Sequence, residues 1–130
     1  MVDETRISPD TFEDTATLLK ALADPNRLRI MDALMQGASC NCELNGLLGL
    51  PPNLLSHHLR ILRQANLITS RRDTVDSRWI YYSVNREMVS HWQNWFNHFF
   101  DTDRFNNERQ LCGPEGQEAA LTTPPTTCRS

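Results

Sequence analysis

Residues 42 to 64 constrain this chain most. A short apolar segment, Cys42 to Leu48, runs into Gly49-Leu50-Pro51, and Pro52 then opens a longer segment to about Gln64. Glycine and proline in close succession end one helix and start another. In the second segment Leu55, Leu59 and Leu62 recur at helical spacing and predict a buried stripe. Asn53, Ser56, His57, Arg60 and Gln64 fall on the other side. Two helices about a tight turn, the second with a polar outer face, have the layout of a helix-turn-helix. Asn66 suits the left-handed backbone that ends a helix.

The flanks supply the rest of a small domain. Residues 1 to 7 read as a loose arm, and Ser8-Pro9 as a cap followed by proline in the first helical turn. Phe12, Ala16, Leu19 and Ala23 predict one buried face of that helix. Asp24-Pro25 repeats the signal, with Leu28, Met31, Leu34 and Met35 inward and Gly37 as the stop. After the helix-turn-helix, Leu67 to Arg72 and Arg78 to Val84 flank a polar turn and predict a β-hairpin, the wing. A long helix follows, roughly Arg86 to Phe105. Met88, Val89, Trp92, Trp95, Phe96, Phe99 and Phe100 share one face of it.

So large an aromatic stripe implies a partner surface. Trp92, Trp95, Phe96 and Phe99 are the expected dimer interface, packing also on the first helix. The predicted architecture is mainly α with a small β-hairpin: a winged helix-turn-helix dimerising through its terminal helices. It occupies residues 1–105, and residues 106–130 form a polar, flexible, cysteine-containing tail. No apolar run approaches the roughly 20 residues of a membrane span. The N-terminus lacks a signal-peptide layout, so a cytoplasmic protein is expected.

Charge distribution says more than net charge. The total over 130 residues is −3, with acids concentrated early at Asp3, Glu4, Asp10, Glu13, Asp14 and Asp24. Between Ser56 and Arg78 the balance reverses through Arg60, Arg63, Arg71, Arg72 and Arg78, with His57 and His58 as further donors. Guanidinium forks suit phosphates and guanine edges. Ser56, His57 and Arg60 would then face the major groove of double-stranded DNA, and Arg71, Arg72 and Arg78 would grip flanking phosphate or the minor groove. No nucleophile–base set, phosphate loop or acidic pair points to an enzyme.

Cys40 and Cys42 stand directly before the helix-turn-helix, and Cys112 and Cys128 lie in the tail. Without a signal peptide a secreted disulfide framework is not expected. A Cys-x-Cys pair is poorly placed for a mutual disulfide, which leaves metal ligation or redox sensing.

Three blocks carry a resemblance to a known family: Leu18 to Met31, Leu55 to Ile68 and Arg78 to Val84. Over roughly residues 12 to 105 the chain resembles the ArsR/SmtB repressors. The resemblance implies a homodimeric repressor that occupies an operator and leaves it when an ion binds. It places Ser56, His57 and Arg60 in the recognition helix, and matches Cys40-x-Cys42 to the site of arsenite and cadmium or lead sensors. The arsenite pattern often has another cysteine one turn on, where this chain has Asn45.

As(III) or Sb(III) as inducer prefers three thiolates, so Cys40 and Cys42 need a third from the tail. At about 3.3 Å per extended residue, reach does not choose between the tail cysteines. Cys112 has the shorter tether and is the expected third ligand, with Cys128 as a fourth for Cd(II) or Zn(II); Cd(II), Pb(II) or Zn(II) are the alternative inducers. A zinc site of another kind, from Glu87, His91, His98 and Asp101, is disfavoured because the two histidines are only seven residues apart. The alternatives are a thiol-redox repressor of the same fold and, more remotely, a winged-helix protein-interaction module.

Overall fold

The computed structural model of the chain describes residues 11–37, 39–105 and 112–115. The expected arm, the Ser8-Pro9 cap, most of the tail and Cys128 lie outside the described residues. The chain divides into two compact units, Met1–His98 and Phe99–Ser130.

Elements follow in the order α1 (Phe12–Leu22), α2 (Pro25–Met35), α3 (Asn41–Leu48), α4 (Pro52–Gln64), β1 (Ile68–Arg72), β2 (Ile80–Val84) and α5 (Arg86–Phe99). Caps explain most of the boundaries. Thr11 accepts from Asp14 N at 3.1 Å to open α1. Asp24 accepts from the N–H groups of Asn26 and Arg27 to open α2. Both satisfy amides that the first turn leaves unpaired. Gly49 ends α3 at φ 64°, its N–H donating to Asn45 O, and Asn66 follows α4 at φ 63°. Both adopt the left-handed backbone that helix ends require.

The hairpin pairs β1 and β2 antiparallel from Ile68↔Val84 to Arg72↔Ile80. Ile68 and Tyr82 turn inward. The core collects Leu18, Ile30, Leu34, Leu44, Leu55, Leu59, Leu62, Leu67, Met88 and Trp92 around them. Ile30, Leu44, Leu62 and Ile68 are fully buried, each contributing about 1.5–3 kcal/mol of burial free energy.

Several expectations need correction. The inward face of α1 is Thr15, Leu18 and Ala21, whereas Phe12 and Leu19 are 72% and 48% exposed. This helix carries apolar residues on two sides, and periodicity alone does not say which side meets the core. The same holds for α2, where Ile30 and Leu34 are buried while Leu28 and Met35 are exposed.

The last helix stops at Phe99 rather than Phe105. Asp101 caps a separate 3-10 turn, Thr102–Arg104, by accepting from Asp103 N. Arg104 Nη1 donates to Phe99 O at 2.7 Å, capping the helix end. Trp92, expected at a dimer interface, is only 5% exposed within the single chain and belongs to its core. Trp95 and Phe96 pack at the core's edge, with Phe12 meeting Trp95 edge-on at 6.4 Å between centroids.

Candidate functional site

The polar face of α4 points outward. Leu55, Leu59 and Leu62 anchor the helix in the core, and Asn53, Ser56, His57 and Arg60 are all exposed. Arg60 Nη2 approaches His57 Nδ1 at 3.2 Å. A guanidinium only donates, so Nδ1 is the acceptor in this contact. Pro51 gives α4 no side-chain cap, so the helix starts on the rigid Pro51-Pro52 step instead.

His58 behaves differently from its neighbour. Expected as a second donor to DNA, it is 5% exposed, and Arg27 Nη1 donates to its Nδ1 at 3.1 Å. Arg27 is itself held by Nε donation to Ala21 O. His58 thus ties the second helix of the motif to α2. Burial holds the imidazole pKa below its usual value, with repulsion from Arg27 and His57 adding to the shift and Asp24 opposing it.

The consequence for stability has a definite sign. Above 6.5, the usual histidine value, neither state binds this proton. Below it the unfolded chain takes up a proton that the folded chain refuses, so stability falls as pH falls. The limiting slope for one proton is about 1.4 kcal/mol per pH unit. Melting temperature is therefore expected to drop between pH 7 and pH 5, and the drop to vanish in His58→Asn, which offers an amide acceptor in place of Nδ1. An unchanged slope in that variant would refute the assignment. The lowered carboxylates Asp24, Glu43, Asp73 and Asp76 lose their contribution only in the more acidic carboxylate range.

The wing arginines are exposed, and each has an intramolecular partner. Arg72 Nη1 donates to Ser77 O at 2.7 Å, and Arg71 lies 4.7 Å from the Tyr81 ring centroid. Arg78 pairs with Asp76 at 2.7 Å. The wing loop is shaped by Asp73, whose Oδ1 accepts from Val75 N and Asp76 N and whose Oδ2 accepts from Tyr81 Oη. That tyrosine bond, followed by the two amides, holds the Asp73 carboxyl below the usual carboxylate range.

Cys40 and Cys42 occupy one helix start in unlike settings. Cys40 is buried at 7% exposure and is the N-cap of α3, its Sγ accepting from Glu43 N at 3.2 Å. Glu43 Oε1 accepts in return from Cys40 N at 3.0 Å. This is a capping box with sulfur in place of the usual hydroxyl. The same contacts, led by the Cys40 N–H, hold the Glu43 carboxyl below its ordinary range. Cys42 is exposed, and both thiols are free. Cys112 belongs to the second unit and is disulfide-bonded.

The thiols suit a thiophilic ion, but as two donors they are incomplete for As(III). Among the described residues no group of three or more His, Cys, Asp or Glu is placed to hold a metal ion. Asn45, in place of a further cysteine, has a buried Oδ1 with no hydrogen-bond partner among the described residues. His91, His98, Glu87 and Asp101 are exposed on and beyond α5, with Asp101 used as a cap.

Sequence reasoning missed His58, Arg27, Asp73 and Tyr81 as structural partners of the site. One signal was available: Cys40-x-x-Glu43 has the spacing of a capping box.

Comparison with known proteins places these features in context. Residues 24–70 match the model described as "Bacterial regulatory protein, arsR family". The chain is 40% identical over 78 residues to the transcriptional repressor SmtB homolog of Synechocystis sp., a match covering 60% of this chain and 57% of that protein. It is 36% identical to the arsenical resistance operon repressor of Staphylococcus aureus, covering 61% of this chain and 73% of that protein. Among solved structures, NolR from Sinorhizobium fredii superposes with a TM-score of 0.54 at 34% identity, over 68% of this chain and 85% of that one.

Proposed function

This chain belongs to the arsR family of bacterial regulatory proteins, and from that membership we propose that it is a repressor of transcription that binds double-stranded operator DNA as a homodimer and leaves it when Cys40 and Cys42 hold As(III) or Sb(III). The family is one of transcriptional regulators, not enzymes. The observation that carries the proposal is the α4 surface. Four polar side chains stand outward on α4, whose opposite face is locked in the core, and the preceding helix α3 begins at a thiol cap.

Each part has a physical role. Arg60 offers a fork to a guanine edge or a phosphate, and Asn53, Ser56 and His57 offer hydrogen bonds beside it. Arg71, Arg72 and Arg78 supply charge to the backbone, Arg78 by exchanging Asp76 for phosphate. The exposed Phe12, Leu19 and Phe99, with the half-buried Trp95 and Phe96, supply apolar surface for a second copy. Two such copies would space their α4 helices about one DNA turn apart. Among the described residues no helix is long and apolar enough to cross a membrane. A regulator of this kind acts in the cytoplasm.

For the inducer, each bond to arsenous acid forms as a thiol gives its proton to an arsenic-bound hydroxyl, which leaves as water. Cys40 and Cys42 supply two such bonds, and Cys112 the third once its disulfide is reduced. Relatives named for arsenical resistance support As(III) or Sb(III), and a relative named as a cadmium resistance regulator homolog supports Cd(II), Pb(II) or Zn(II) as the alternative. The exposed Cys42 thiol also supports a second reading, in which Cys40 or Cys42 forms a disulfide with a tail cysteine on oxidation and DNA is released without an ion.

Fluorescence anisotropy on a duplex selected by the protein from a random pool separates the two. With reductant present, arsenite or antimonite is expected to release the duplex, and Cd(II) or Zn(II) to do so less. Release by peroxide alone, with no response to any ion, supports the redox reading. In the same assay Arg60→Ala is expected to weaken binding without inducer by about 5- to 150-fold, equivalent to about 1–3 kcal/mol. Binding within about twofold of wild type would remove Arg60 from the interface.

A further inference from the structure

The signal from the thiol pair has a physical route, and it leads first to the wing. Ser39 and Cys40 lie against β2 through one isolated bridge, with the Asn41 side chain beside it. Tyr82 N donates to Ser39 O, Cys40 pairs with Tyr81 in an antiparallel bridge, and Ile80 N donates to Asn41 Oδ1 at 3.4 Å. Movement of the Cys40 backbone therefore acts directly on the residues that pair with it.

Tyr81 carries that connection outward. Its hydroxyl donates to Asp73 Oδ2 at 2.7 Å, and the Arg71 guanidinium lies over its ring. Asp73 in turn organises the turn, accepting from Val75 N at 2.7 Å and Asp76 N at 3.0 Å, while its own N–H donates to Trp79 O. Asp76 holds Arg78. A single side chain thus links the thiol cap to a loop that orients the charged groups of the wing.

At the other end the two thiols are mismatched in exposure. Cys42 is exposed, but Cys40 is buried with its sulfur engaged by Glu43 N. An ion bound to Cys40 Sγ competes with the Glu43 N–H for that sulfur and so acts on the cap of α3. Loss of that bond frees the first turn of α3, whose N-cap backbone is the one paired with Tyr81.

We propose that Tyr81 is a positioning residue that couples occupancy of the Cys40–Cys42 pair to the geometry of the wing, so that release begins at the wing arginines rather than at α4. The proposal rests on the ion-sensing function above and specifies how that site is heard.

Tyr81→Phe in the full, reduced chain tests it, with arsenite as the probe. Removing one hydroxyl keeps the ring packed. Arsenite affinity, read from thiolate–arsenic ultraviolet absorbance, is expected to stay within about twofold of wild type, and inducer-free DNA affinity within about threefold. The factor by which arsenite weakens DNA binding is expected to fall at least about fivefold. Asp73→Asn, which keeps an oxygen acceptor for the loop amides, is expected to reproduce that loss.

Hydrogen exchange on the wild-type protein without DNA gives a readout that does not depend on release. Arsenite is expected to speed exchange at Val75 and Asp76, and Tyr81→Phe to remove that response. If both variants respond to arsenite as wild type does, or if the Val75 and Asp76 amides do not change on arsenite binding, the proposal is overturned. A wild-type protein that binds arsenite yet keeps its DNA instead overturns the function on which the proposal stands.

Discussion

Trp92→Ala is expected to lower the melting temperature by at least about 12 °C. Truncating a buried tryptophan costs about 3–5 kcal/mol, and each kcal/mol shifts the midpoint of a domain this size by about 4–8 °C. Trp92 has only 5% of its surface exposed in a single chain. Its ring meets Trp95 and Phe96 with centroids 6.1 Å and 6.2 Å away. The lost contacts are therefore intramolecular, and the melting temperature is expected to fall at every protein concentration. Against a total stability of about 5–15 kcal/mol, the loss leaves the fold marginal. A dimer-interface residue behaves otherwise: its truncation raises the dimer dissociation constant and makes the midpoint concentration-dependent. Thermal melts over a hundredfold range of concentration distinguish the two. A Trp92→Ala protein that melts like wild type but sediments as a monomer would return this side chain to the interface.

Cys42→Ser is expected to abolish the arsenite response and leave DNA binding alone. Couplings of this kind amount to about 1–3 kcal/mol, so a release of 5- to 150-fold should shrink to nearly none. Cys42 is exposed, caps nothing and lies outside the core, so a hydroxyl in its place costs the fold little. Cys40→Ser should also silence the sensor, for a different structural reason. Its sulfur is the acceptor of the α3 capping box, and serine is among the preferred residues for that role. The serine variant therefore keeps its fold, whereas Cys40→Ala should lose about 1 kcal/mol with the cap. Anisotropy titration and thermal melting on the same samples separate sensing from stability. Full arsenite release in Cys42→Ser would remove the thiol pair from the mechanism.

How much of this was legible in the sequence depended on how local the cause was. The turn at Gly49-Leu50-Pro51, the start at Pro52, the left-handed Asn66 and the hairpin around Asp73 all appear where composition places them. Each follows from φ restrictions or capping chemistry within a few residues. The outward set on α4 was equally legible, because Leu55, Leu59 and Leu62 mark the one strongly apolar face of that helix. On α1 the rule failed. Phe12-Ala16-Leu19 and Leu18-Ala21-Leu22 are both plausible stripes, and only contact with α2 and α4 turns the second inward. His58 was missed because it adjoins an exposed histidine in sequence, while Arg27, its partner, lies 31 residues away.

The two thiols before the motif show the same division. Sequence alone determined that Cys40 and Cys42 stand at the start of a helix leading into a DNA-reading segment, since both the cap spacing and the turn are local. Tertiary structure decided that Cys40 is buried against β2 while Cys42 faces outward. That difference arises because the strand pairing with Cys40 comes from about forty residues further along the chain, and periodicity carries no information about which distant segment covers a given face.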